Sequence, residues 1–390
     1  MNQAVPPGKT LLTPFNIISS IILLIGGIIT ILRFTQGIGA VTNLDDTNPW
    51  GIWIGFDLLC GVALAAGGYV TCAACYIFGL KKFRCAVRPA ILTAFLGYAL
   101  VVLALHYDVG RPWRLPFPIF VSQGTSSILF EVALCVFLYL TVLLLEFSPV
   151  VFEWLNWKGA RYLIGKVSMV LVIFGIILST LHQSSLGALF LIAPSKLHPL
   201  WHSGYIAVYF FISSIFAGMS MVIAEHMLVA RFLHDKIDAE HNIESNTVAL
   251  GFAKAAAFLM AGYVMIQIIG IAMDNDWKYL GTGWGLWYLT EIVGFVVLPA
   301  GFYAVGVRER NVKLIRWTSF WVVSGIVLNR LNVSLVAFNW QLPLDQRYFP
   351  SFMEIMTTVF IITLGVVIYK FIVVRMPVLH GHPDYPDDHH

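Results

Sequence analysis

Four carboxylates stand in apolar stretches where solvation is poor. TSSILFEVALCVFLYLTVLLLEF sets Glu131 between Phe130 and Val132, with no lysine or arginine near it in sequence. Asp57, Glu291 and Glu354 have similar surroundings, as do His106 and His182. Arg330 lies in NRLNVS, flanked by Asn329 and Asn332. On insertion scales a charge at the bilayer centre costs about 2.5–3.5 kcal/mol, and less near the interface. Acids and imidazoles held in such places are the residue types that move protons. A second signal is STLHQSSLG, where Ser179, Thr180, His182, Gln183, Ser184 and Ser185 crowd together. Such density, next to apolar sequence, suits an amphiphile with two hydrogen-bonding oxygens and a long tail, which describes a quinone. The same segment also reads as a helix C-cap.

The elements that position these groups follow from composition. The chain has 390 residues, 58% hydrophobic and 12% charged, with a mean hydropathy of +0.80. Apolar runs of about 20 residues match the hydrocarbon thickness of a bilayer. A β-barrel would show short alternating segments instead. The fold class is therefore an all-α polytopic membrane protein with ten transmembrane helices, near 15–34, 52–79, 89–107, 126–147, 163–182, 203–232, 248–273, 284–307, 315–338 and 351–374. The first run is not expected to be a cleavable signal, since its core is long and no small-residue cleavage site follows.

Basic residues orient the spans. Lys81, Lys82, Arg84 and Arg88 lie between the second and third, Lys158, Arg161 and Lys166 between the fourth and fifth, and Arg308, Arg310, Lys313 and Arg316 between the eighth and ninth. The opposite loops hold only Arg111, Arg114, Lys196, Lys278 and Arg347. Both termini are expected to be cytoplasmic. The opposite loops are rich in Pro, Trp and Gly, which suits an interfacial aromatic belt and equally a docking surface. On this topology Asp57, Glu131, Glu291, Glu354, His106, His182 and Arg330 share one depth near the outer side, with Arg330 expected to pair with one of the acids. Glu225, followed by His226, lies near the inner side. Scattered basic loops without an aromatic–basic surface argue against nucleic acid.

Cys72-Ala-Ala-Cys75 spells C-x-x-C, but Asp57, Gly61, Ala65, Gly68, Cys72 and Cys75 share one helical face. Small residues that let two helices approach explain that face, and no metal site is expected. The His-rich tail HGHPDYPDDHH is expected to be disordered, with metal capture the alternative.

NPWGIWIGFD, HYDVGRPW, SSILFEVALC, STLHQSSLG, NRLNVSLVAFN and YFPSFMEI, in this order, resemble the NrfD/PsrC (polysulfide reductase membrane subunit) family, in particular its ten-helix HybB/HmcC-like branch. The resemblance covers nearly the whole chain. It implies a multi-pass subunit in a bacterial or archaeal cytoplasmic membrane. It further implies two four-helix bundles, helices 2–5 (about 52–182) and 6–9 (about 203–338), flanked by helices 1 and 10. No haem or iron–sulfur cluster is expected in this chain. (Mena)quinone would bind near the outer face of the first bundle and exchange electrons with a periplasmic iron–sulfur (ferredoxin-like) subunit, within a hydrogenase-type or multihaem cytochrome c complex.

By motif matching, the resemblance puts Glu131 on a proton path and makes Asp57, His106, Asp108, His182 and Gln183 candidates for the quinone site. Ser184 joins them as an orienting donor. Glu291, Glu354, Arg330 and Glu225 are candidates for proton transfer. Three rivals stand beside this reading: a b-type cytochrome anchor ligated by His106 and His182, a proton- or ion-translocating subunit, and a purely structural anchor.

Overall fold

Within a bilayer no water satisfies the backbone, so a long apolar segment must bond its own N–H and C=O groups and becomes a helix. The computed structural model describes residues 13–233 and 239–379. Ten helices in it are long and apolar enough to span: α1 (Pro14–Gln36), α2 (Trp53–Ile77), α3 (Lys81–Asp108), α4 (Ile128–Trp154), α5 (Lys158–Ile192), α6 (Ile206–Phe232), α7 (Ile243–Asp274), α8 (Gly283–Arg308), α9 (Val312–Val336) and α10 (Phe352–Arg375). No strand occurs among the described residues. One isolated bridge, Leu197 to Phe338, ties together two loops on the aromatic-rich side. The chain is a multi-pass integral membrane protein. The His-rich tail lies outside the described residues.

α2 packs on α3, α3 on α4, α4 on α5, and α5 returns to α2. α6, α7, α8 and α9 close on one another in the same way. α1 and α10 pair with each other, and α10 rests on α3. α6 also packs on α5 and crosses α2. There a Cβ on Gly218 would stand 2.5 Å from Gly67 N and 2.6 Å from Ala66 C. Only glycine allows that backbone-to-backbone approach. The small-residue face of α2 also works as expected against α3, since a Cβ on Gly68 would meet Ala94 Cβ at 2.6 Å. Cys72 and Cys75 are buried free thiols on that face.

Two spans run further than their sequences suggest. α4 continues through Pro149, whose ring nitrogen cannot donate to Leu145 O; Ser148 Oγ donates to that carbonyl instead, at 2.7 Å. α5 runs past His182 through STLHQSSLG, its α-helical part ends just after that segment at Ala188, and a 3-10 turn over Leu189–Ile192 completes the span. Four stretches adopt wider π-type turns: Trp53–Leu58 and Ala73–Ile77 in α2, Val293–Val297 in α8 and Asn332–Val336 in α9. Asp57 lies within the first, Glu291 just before the third, and Asn332 opens the fourth.

Candidate functional site

The polar residues expected at one depth fall into separate groups. The first fills the interior of the α2–α5 bundle. His182, fully buried, shares a 2.9 Å hydrogen bond between Nδ1 and Tyr98 Oη. Tyr98 meets Tyr139 edge to face with ring centroids 4.7 Å apart. His182 Nε2 is buried without a hydrogen-bond partner, while Ser179 lies beside both Tyr98 and Tyr139. One turn beyond His182, Ser185 Oγ donates to Glu131 Oε1 at 2.6 Å, joining α5 to α4. Glu131 is in the first turn of α4 and its side chain is exposed at the surface of the chain; it is not the enclosed carboxylate its apolar neighbours suggest. Gln183 donates to Val62 O at 2.9 Å and so ties α5 to α2. Ser184 bonds back to its own helix at Thr180 O.

Asp57 lies elsewhere. It is buried, accepts from Thr358 Oγ1 of α10 at 2.7 Å, and faces a cavity of about 790 Å³. The walls are overwhelmingly apolar, with Gly61, Leu64, Leu100, Met221, Ile361 and Val366 among them. Leu228, Phe232, Ile362 and Val366 on its rim are exposed, so the slot opens toward lipid between α6 and α10. Glu225 lines the far end and accepts from Tyr369 Oη at 2.6 Å. Glu225 and Thr93 both line the slot beside one another. His182, Gln183, Ser184 and His106 line neither this slot nor a smaller cavity on the basic side. Asp57 and His182 are thus on different sides of the α2–α3 wall.

The third group sits among α6, α8 and α9. Glu291 is 2% exposed and surrounded by donors: Trp201 Nε1 at 2.8 Å, Asn329 Nδ2 at 2.6 Å and Asn332 Nδ2 at 2.5 Å. Among the described residues, Arg330 forms no ion pair with an acid. Its guanidinium donates to Asn329 Oδ1 at 2.6 Å and Ser213 Oγ at 2.7 Å, and lies 3.8 Å from the centre of the Phe210 ring. The expected pairing is replaced by a relay in which Asn329 stands between Arg330 and Glu291. Direct burial of both charges together would demand near-ideal geometry, whereas an amide can accept from one and donate to the other.

Glu354 is the N3 residue of a capping box on α10, accepting from Ser351 N at 2.8 Å while Glu354 N bonds Ser351 Oγ. It also accepts from Asn43 N at 3.0 Å and Tyr348 Oη at 2.5 Å. Burial, and the hydrogen bond to Glu354, hold the Tyr348 phenol above its ordinary value. His106 donates Nδ1–H to Val102 O of its own helix at 2.7 Å. Asp108 Oδ1 is buried and unpartnered near Arg33. Arg33, 2% exposed within α1, donates to the carbonyls of Tyr107 and Val109.

Several of these residues escaped sequence reading. Arg33, Tyr98 and Tyr139 are not singled out by residue type or spacing in the sequence. Among the described residues no group of three His, Cys, Asp or Glu is placed to hold a metal ion.

The polysulphide reductase NrfD family model matches residues 40–342. The chain belongs to the NrfD family. Relatives of similar length agree with that membership. A Nitratidesulfovibrio vulgaris protein is 62% identical over 98% of both chains. The probable Ni/Fe-hydrogenase 2 b-type cytochrome subunit of Escherichia coli is 30% identical over 95% of this chain and 94% of its own. The menaquinone reductase integral membrane subunit of N. vulgaris is 24% identical over 88% and 86%. This NrfD-family chain is therefore similar to membrane subunits of redox complexes on two independent counts, family and full-length relatives.

Proposed function

We propose that this chain is the quinone-reactive membrane subunit of a respiratory oxidoreductase complex. In this reading electrons pass between a periplasmic iron–sulfur partner, itself part of a hydrogenase-type or multihaem cytochrome assembly, and (mena)quinone. The observation that carries it is the lipid-open slot. Its apolar walls fit a long hydrocarbon tail, its mouth faces the bilayer, and its few polar groups include the buried carboxylate of Asp57. Pockets with apolar walls and a few placed polar groups are the usual form of small-molecule sites.

Quinone reduction takes up two protons with two electrons, so proton donors must lie within hydrogen-bond reach or be linked through others. Asp57, bonded to Thr358, is the acid at the slot. Behind the α2–α3 wall, two bonded pairs, Glu131 with Ser185 and His182 with Tyr98, are the exchangeable groups that would carry protons for it. Gln183 holds α5 against α2 at the level of both. Glu225, bonded to Tyr369, is the corresponding acid at the other end of the slot.

Glu291, Glu354 and Arg330 play a different part in this reading. Glu291 is bonded by Trp and Asn N–H groups, Arg330 by an amide and a hydroxyl, and Glu354 by backbone N–H groups and the Tyr348 hydroxyl, all fixed in place by the fold. That supports fixed positioning charges over relay members. A b-type cytochrome, suggested by the name of the E. coli relative, would need room for a porphyrin beside its ligands. His182 is enclosed against Tyr98, and neither cavity touches His182 or His106. This supports the haem-free reading, and the visible spectrum of the purified subunit tests it, since a Soret band belonging to this chain would overturn it.

The experiment for the quinone site is Asp57→Asn in the intact complex. Turnover with a soluble menaquinone analogue should drop at least tenfold, while reduction of an artificial dye by the partner subunits stays unchanged. Wild-type quinone turnover in Asp57→Asn and in Asp57→Leu would remove the site from the slot.

A further inference from the structure

The structure carries a second cavity, of about 460 Å³, at the end of the bundle where the basic loops lie. Lys81, Lys82, Arg84, Arg88 and Arg161 line it, against the carboxylates of Glu146, Glu153 and Glu244. The cations are arranged in two sets. Arg161 Nε and Arg88 Nη2 both donate to one oxygen of Glu153, at 2.8 and 3.0 Å. That carboxylate is 1% exposed and is shared by two guanidiniums; over the whole lining five basic side chains face three acidic ones. Arg88 is further fixed by donating to Pro377 O at 2.9 Å. The second set, Lys81, Lys82 and Arg84, comes from the turn that opens α3, and both lysines are exposed. The apolar part of the lining is Ile91, Val150, Ile164, Leu171 and Val172, with Glu146 one turn from Val150 along α4.

Cations on two walls above an apolar floor, at the level where helices leave the bilayer, match one kind of molecule. We propose that this cavity binds the headgroup of a diacidic phospholipid of the diphosphatidylglycerol class. One phosphate lies against Arg88 and Arg161, the other against Lys81, Lys82 and Arg84, and an acyl chain runs down the Leu171–Val172 floor. Basic pockets between transmembrane helices recognise such headgroups through paired charge and hydrogen bonding. Glu153 pre-orients the two arginines, so little side-chain freedom is lost when the lipid arrives. The site is separate from the slot and does not depend on the quinone reading.

The test uses the complex purified from membranes and exchanged into nanodiscs of phosphatidylethanolamine with either tetra-acyl cardiolipin or phosphatidylglycerol. Native mass spectrometry then counts retained lipid. Wild type should hold one cardiolipin per copy of this chain and prefer it to phosphatidylglycerol. Each basic residue near an anionic headgroup contributes about fivefold in affinity. Lys81→Gln/Lys82→Gln/Arg84→Gln should therefore weaken retention about a hundredfold. Arg88, Arg161 and Glu153 stay untouched in that variant because they tie helices together. Should the triple variant fail to accumulate, Lys81→Gln and Lys82→Gln alone, both on exposed side chains, should each show the fivefold loss. Equal retention of the two lipids, or cardiolipin retention unchanged in the variants, overturns the proposal. Displacement of cardiolipin by millimolar inorganic pyrophosphate would instead identify a soluble-anion site and also overturn it.

Discussion

Glu291→Gln isolates the logic of the α6–α8–α9 network, because every partner of that carboxylate is a donor whose orientation is fixed from outside. Asn332 cannot turn its amide, since its Oδ1 accepts from Trp287 Nε1 at 3.1 Å. Asn329 cannot turn either, since its Oδ1 accepts from Arg330. Trp201 has only a donor. A glutamine offers one accepting oxygen where three N–H groups converge on two. In its better orientation the oxygen serves Trp201 and Asn332, and its own NH2 is forced against Asn329 Nδ2. One buried donor is left unpaired beside a lost charge-assisted bond, a cost of about 1.5–3 kcal/mol. At about 2 °C per kcal/mol for a long chain, the unfolding midpoint should fall by roughly 3–6 °C. Glu291→Leu orphans all three donors and should prevent accumulation of folded protein. The assay is thermal unfolding in detergent followed by tryptophan fluorescence. Retention of the wild-type midpoint in both variants would refute the donor-only account. So would a Gln variant that keeps its midpoint but loses the pH profile of quinone turnover, because that pattern belongs to a titrating relay.

Other outcomes follow from the same geometry. Glu131→Gln should change stability by less than about 0.5 kcal/mol, as expected for an exposed side chain, yet reduce quinone-coupled turnover at least tenfold; Ser185→Ala should reproduce part of that loss, measured in the intact complex. Gly218→Ala places a methyl 2.5 Å from Gly67 N, and with backbone on the other side it should separate the two groups of helices, read as loss of the monodisperse peak in detergent gel filtration. His198, 1% exposed, is caged by Trp201, Tyr279, Trp284 and Trp340, and burial pushes it down to about 4. The unfolded chain then binds the extra proton first, so its stabilising contribution is complete above about pH 6.5 and is lost as pH falls toward 4. The unfolding midpoint should decline over that window, and His198→Gln should flatten the decline.

The ten spans were legible because hydrocarbon thickness leaves a length signature that side-chain detail cannot hide. The small-residue face of α2 was legible for a similar reason, since close helix packing needs small side chains at helical spacing. What escaped was anything set by rotation about a helix axis or by one-residue shifts in its hydrogen bonds. The wide turn at Trp53–Leu58 changes which way Asp57 faces, and no residue type marks it. Asp57 and His182 share a depth in the sequence but not a compartment, because depth is one coordinate and the α2–α3 wall divides the other two. STLHQSSLG read as a helix end, and the α-helical part of α5 does stop just beyond it at Ala188; Thr180 and Ser184 bond back to carbonyls one turn earlier, which carries the helix through the segment. Arg330 was assigned an acid partner because charge is visible in sequence, whereas an intervening amide is not.

α10 brings one more property to this arrangement. Its Thr358 holds Asp57 of α2, and its Tyr369 holds Glu225 of α6. The two contacts lie about 16 Å apart along one helix, at about 1.5 Å of rise per residue. A helix is stiff along its axis, so sliding α10 by half a turn would release both acids at once, and neither could be released alone by such a shift. Two carboxylates that belong to different groups of helices therefore share a single mechanical latch.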